Sequence, residues 1–190
     1  MVLTAAHCTA YLEENGITDV WVSFDPTLPA TTLYHGVMHT NPGFNQRQSD
    51  PGDIAVIVTD DPVAGIQPAE LPTAGLFDRL KKEGKLKGLT FTAVGYGALE
   101  PERGGGAPRF PDPKERRRAV STFDALSASW LRLSQNPATG DGGTCYGDSG
   151  GPNFVGSGPG ETDVIGGITI TGDSMCRATN VDYRVDTPAA

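Results

Sequence analysis

Gly147-Asp148-Ser149-Gly150-Gly151-Pro152 is the stretch from which the rest of the chain can be read. A serine hydroxyl is a weak nucleophile until a base takes its proton and donors hold the oxyanion that follows. Glycines on both sides leave backbone N–H groups uncovered and permit a sharp turn. The segment has the composition that acyl transfer requires. What surrounds it along the chain decides which machinery it belongs to.

The first question is the base. The only histidines are His7, His35 and His39, all upstream of Ser149. The nucleophile elbow of α/β-hydrolases shares the Gly-x-Ser-x-Gly spacing but needs a histidine after the serine. The chain also lacks the β-α alternation of that fold, so this reading is excluded. His7 lies in Leu3-Thr4-Ala5-Ala6-His7-Cys8, where small residues keep an imidazole approachable. Strand-like Val2-Leu3-Thr4 leads into it, and residues 9–16 predict a short helix with a glycine stop. Asp53 immediately precedes the apolar run 54–58, where a carboxylate is drawn out of water and can be aimed at an imidazole N–H. Asp50, Asp60 and Asp61 lack that placement and read as loop carboxylates. His35 and His39 have the spacing of a zinc helix, but Gly36-Val37-Met38 is a poor helix without a metalloprotease glutamate. They read as strand and loop histidines.

Composition bounds the rest. Gly (25) and Pro (15) among 190 residues make turns and loops frequent. The runs 20–24, 54–58, 89–94 and 164–170 are bounded by Gly, Pro, Asp or Asn and predict a mostly antiparallel β protein. The length suits one large domain or two small ones sharing an interface. A net charge of −8 argues against nucleic acid or an anionic membrane as the main partner. No apolar run approaches a membrane span. Cys8, Cys145 and Cys176 contain no Cys-x-x-Cys pair, which argues against a zinc or iron–sulfur site. Residues 114–118 read as a solvated charged loop. Residues 98–113 read as a Gly/Pro-rich loop open to proteolysis.

Leu3-Thr4-Ala5-Ala6-His7-Cys8, Asp53-Ile54-Ala55-Val56 and Gly147-Asp148-Ser149-Gly150-Gly151-Pro152 together resemble the three catalytic blocks of the chymotrypsin/trypsin-like serine proteases, in order and at fitting intervals. The resemblance implies an all-β fold of two antiparallel β-barrels with the first incomplete. Residues 1–80 would be the remnant of the first barrel, and residues 81–190 the second. The segment 76–84 resembles the crossover, and Val94-Gly95-Tyr96-Gly97 the opening of the second barrel. It implies a serine endopeptidase with Ser149 as nucleophile, His7 as base and Asp53 as its orienting acid. The N–H groups of Gly147 and Ser149 would form the oxyanion hole. Asp148 resembles the residue that pairs with an activating amine. Cys145 and Cys176 resemble a bridge beside the specificity pocket, which Gly143, Thr144, Thr171 and Gly172 would line. Protein or peptide substrates, protein inhibitors as further partners, a monomer and a secreted protein are implied. No metal or organic cofactor is implied.

The sequence departs from that family in three ways. Met1-Val2-Leu3-Thr4 enters a strand pattern at once, with no signal peptide, and the family's N-terminal segment and closing helix have no counterpart. The expectation is a chain truncated at both ends, with the partner of Cys8 lost. Gly143 stands where trypsin-like members carry the aspartate that binds Arg or Lys, and Asp141 lies two residues early. A basic preference is therefore not expected. Ile170-Thr171-Gly172 replaces a Ser-Trp-Gly strand, which removes a hydroxyl near Asp53 and an aromatic wall. Two further readings stay open: a binding module of this fold without activity, and an inert fragment.

Overall fold

The computed structural model describes residues 1–102 and 106–190, so Arg103, Gly104 and Gly105 of the predicted 98–113 loop lie outside the described residues. β1 (Val2–Thr4), β2 (Asp19–Val22), β3 (Tyr34–Thr40) and β4 (Ala55–Thr59) form an antiparallel sheet in the order β1-β4-β3-β2. β5 (Thr90–Gly95), β6 (Arg117–Leu126), β7 (Trp130–Ser134), β8 (Pro152–Val155), β9 (Ile165–Gly172) and β10 (Thr179–Arg184) close into a barrel in the order β10-β7-β6-β5-β8-β9. The fold is the expected all-β one, with one closed barrel and one sheet that does not close.

The apolar runs predicted from sequence fall on β2, β4, β5 and β9. Helix α1 (Ala6–Glu14) starts earlier than the predicted Thr9 and takes His7 and Cys8 into its first turn. Alanine is a strong helix former, and Ala5 supplies the extended residue that turns β1 into the helix. Gly16 follows at φ 75°, a conformation that suits the predicted stop. Helix α2 (Leu76–Lys82) occupies the predicted crossover between sheet and barrel. His35 and His39 both sit on β3, not one in a loop. The charged run 114–118 is loop only in part, because Arg117 and Arg118 open β6.

Two apolar clusters hold the molecule. Phe77 of α2 packs with Leu86, Phe91, Leu131 and Leu133 at one end of the barrel. The second cluster is a seam: Ala5 from the β1–α1 junction meets Ile168, Ile170, Tyr183 and Val185 of the barrel. Leu3, Cys8 and Ile54 of the sheet side pack against it. That seam puts the start of α1 and the entry to β4 against the barrel loop that carries Ser149.

Candidate active site

His7 is presented by the first turn of α1 and Asp53 by the residues entering β4. Asp53 is buried, and its carboxylate grips His7 twice. Oδ1 accepts the His7 backbone N–H at 2.8 Å, and Oδ2 lies 2.9 Å from Nδ1. The backbone contact fixes where the residue sits, and the ring contact fixes which way the imidazole faces. The hydrogen bond to Asp53 raises the His7 pKa above its ordinary 6.5, with Cys8 acting in the same direction and burial against it. The rival carboxylates are engaged elsewhere or exposed. Asp50 Oδ1 accepts the Tyr183 hydroxyl at 2.8 Å, Asp60 Oδ2 lies 2.6 Å from His35 Nδ1, and Asp61 is exposed.

Ser149 sits exposed in a tight loop between the barrel strands. Gly150 N–H donates to the Thr169 carbonyl at 2.7 Å, and Thr169 N–H donates to the Gly151 carbonyl at 2.9 Å. Asp148 N–H donates to the Cys145 carbonyl at 3.0 Å. The N–H groups of Gly147 and Ser149 have no acceptor among the described residues. The loop presses directly on the sheet. Gly150 has φ 80°, and a Cβ there would lie 2.2 Å from Thr4 Oγ1 and 2.8 Å from the Ala5 nitrogen. Cys8 Sγ lies 4.0 Å from the Ser149 carbonyl oxygen, and Cys8 is a free thiol. The structure thus pairs His7 with Asp53 and sets the Ser149 loop against the β1–α1 junction that carries His7.

Asp148 points away from Ser149 into the barrel. Its carboxylate accepts the N–H of Gly97 at 2.8 Å and of Cys145 at 2.9 Å. Burial raises its pKa, and the N–H groups of Cys145, Gly97 and Tyr96 work the other way. A Cβ on Gly95 or Gly97 would run into this carboxylate, at 1.9 and 2.4 Å. Sequence reading placed Gly95 and Gly97 only as part of an opening strand. Their role as the cradle of Asp148 was signalled by nothing but their lack of a side chain. A cavity of about 260 Å³ borders Asp148 on this side.

Beside Ser149 lies a second cavity of about 220 Å³, lined by Thr144, Thr171 and Gly172 among others. The Cys145–Cys176 disulfide borders it, with Cα atoms 5.2 Å apart. Gly143 is the exception among the expected lining residues: it borders the Asp148 cavity instead. A Cβ on Gly143 would lie 2.1 Å from Gln135 Oε1, so the Gln135 side chain fills the space a residue there would need. Asp141 is held in its turn by the Thr122 and Thr139 hydroxyls. Ile170 is buried in the seam, and no hydroxyl from that position reaches Asp53. Gln135, Asn153, Asn180 and Asp182, which back the Ser149 pocket, were not singled out by sequence.

A closed antiparallel barrel, a docked β-sheet, a His–Asp pair and a glycine-flanked serine define a chymotrypsin-like all-β protein. The sequence model of the trypsin family matches residues 1–190, and the chain belongs to that family. No curated protein matches the chain.

Proposed function

We propose that the protein is a serine endopeptidase that cleaves peptide bonds through an acyl-enzyme on Ser149. The observation that carries this reading is the double contact from Asp53 to His7, set against the loop that bears Ser149. His7, neutral, takes the Ser149 proton as Oγ attacks the carbonyl carbon. Asp53 holds the imidazole in one tautomer and stabilises the imidazolium that results. The unclaimed N–H groups of Gly147 and Ser149 offer two donors to the oxyanion. The imidazolium then gives its proton to the leaving amine. Water, deprotonated by the same imidazole, attacks the acyl-enzyme and regenerates Ser149. The disulfide and the family are those of proteins that work outside the cell, and we place the enzyme there.

A fluorophosphonate probe tests the nucleophile. The expected result is covalent labelling of the wild-type protein and none of Ser149→Ala. A folded wild-type protein that resists labelling and cleaves no peptide would leave a binding module in place of an enzyme.

A further inference from the structure

The pocket beside Ser149 has a polar back wall with a definite direction. Thr144 Oγ1 donates to Asn180 Oδ1 at 2.8 Å. Asn180 Nδ2 donates to Asp182 Oδ1 at 2.9 Å, and Asn153 Nδ2 donates to the same oxygen at 2.8 Å. Asn153, Asn180 and Asp182 are each 0% exposed, so none can exchange these partners for water. An oxygen that accepts from both amides fixes the Asn180 amide with nitrogen toward Asp182 and oxygen toward Thr144. That oxygen takes the Thr144 hydroxyl proton. Thr144 therefore meets the pocket with lone pairs and no proton to offer.

The carboxylates of this wall are buried or already engaged. Asp182 Oδ2 has no partner among the described residues, and burial pushes the Asp182 pKa up to about 8, toward the neutral acid. Asp173 also lines the pocket. Burial works to raise its pKa, yet it is held down at about 2 because its oxygens accept N–H groups from its own loop and from Gln135. Those donors are the N–H groups of Met175, Arg177, Ala178 and Thr179 and Nε2 of Gln135. A cation in this pocket would lose its water and compete with those five donors for the Asp173 carboxylate. A carboxylate would face the lone pairs of Thr144 and the ionised Asp173.

We propose that this pocket takes an uncharged side chain that donates hydrogen bonds, a primary amide, and that Thr144, oriented through Asn180 and Asp182, selects it. The proposal rests on the peptidase reading, which puts the side chain before the cleaved bond in this pocket. A site built to hydrogen-bond its substrate discriminates strongly against an isostere that lacks the matching group.

The test uses peptides that differ only at that residue: Gln, Glu, Leu and Lys. The expected kcat/KM for Gln exceeds that for Glu and for Leu by at least about tenfold. Thr144→Val should bring the Gln-to-Leu ratio toward one, and Thr144→Ser, which keeps the acceptor, should retain it. Lys turned over as well as Gln would overturn the proposal, as would a ratio unmoved by Thr144→Val. The same peptides bound to Ser149→Ala, read by fluorescence anisotropy, report the pocket without turnover. Probe labelling with no preference for Gln in either assay removes the amide pocket and leaves the peptidase. Gln-selective binding without labelling removes the peptidase and leaves the pocket. Absence of both removes both.

Discussion

Asp53 accepts from His7 at the backbone and at the ring, so replacing it separates placement from charge. Asp53→Asn keeps the shape but stops the side chain from stabilising the imidazolium. The expected loss in kcat is about 10⁴-fold, with KM little changed. The same contact makes stability depend on pH. The folded-state pKa of His7 is raised above 6.5, so the folded protein binds this proton more tightly than the unfolded chain. The contribution is fully present below the unfolded value and is lost as pH rises through the raised folded value. Urea midpoints should therefore fall from pH 6.5 upward in wild type and stay flatter in Asp53→Asn. The acid limb of kcat/KM, which follows the loss of that proton in the free enzyme, should also lie above pH 6.5. Midpoints that run parallel in the two proteins would contradict this account.

At the scale of elements, Arg184 at the end of β10 does more than fill space. It is 2% exposed, and its guanidinium pairs with Asp186 through Nε at 2.9 Å and Nη2 at 3.0 Å. Nη1 donates to the Ser127 carbonyl at 2.7 Å, and Nη2 reaches Asp78 of α2 at 3.0 Å. Asp186 in turn accepts the Phe77 N–H at 2.9 Å. Arg184→Met would leave Asp186 buried without its cation, at a cost of about 3–5 kcal/mol. A fall in melting temperature on the order of 10 °C should follow; a fall under a few degrees would refute the pairing as the anchor of α2. These residues also show what sequence conceals. Ser149, His7 and Asp53 sit in contiguous motifs, so the sequence could offer them as candidates, and the strands whose apolar residues face inward were legible. Thr179-Asn180-Val181-Asp182-Tyr183-Arg184 was not, because its polar residues Asn180, Asp182 and Arg184 are the buried ones. A period-two reading sends them to solvent. Asn153, Thr169 and Asp182 meet only through the registers of β8, β9 and β10, which no local pattern states. Gly143 was read as a pocket position for want of Gln135, which reaches it from the end of β7.

Across the whole molecule, one covalent tie bears on the pocket. Cys145–Cys176 closes a loop with a sequence separation of 31 that contains Ser149, β8 and β9. Constraint of the unfolded chain by a loop of this length is worth roughly 3–4 kcal/mol. Reduction should lower the melting temperature. It should also raise KM more than it lowers kcat, since the bridge walls the pocket while Gly150 and Gly151 keep the Ser149 loop on β9. A reduced protein with unchanged KM would show that the bridge serves stability alone. The seam around Ala5 has another consequence. His7 in α1 and Asp53 before β4 belong to the sheet side, and Ser149 belongs to the barrel, which closes only once β10 is present. During synthesis the ribosome releases His7 and Asp53 long before it releases β10, the strand that closes the barrel carrying Ser149. A nascent chain therefore holds no assembled His7–Asp53–Ser149 site until β10 has emerged, so the proposed peptidase stays inert while its barrel is still being made.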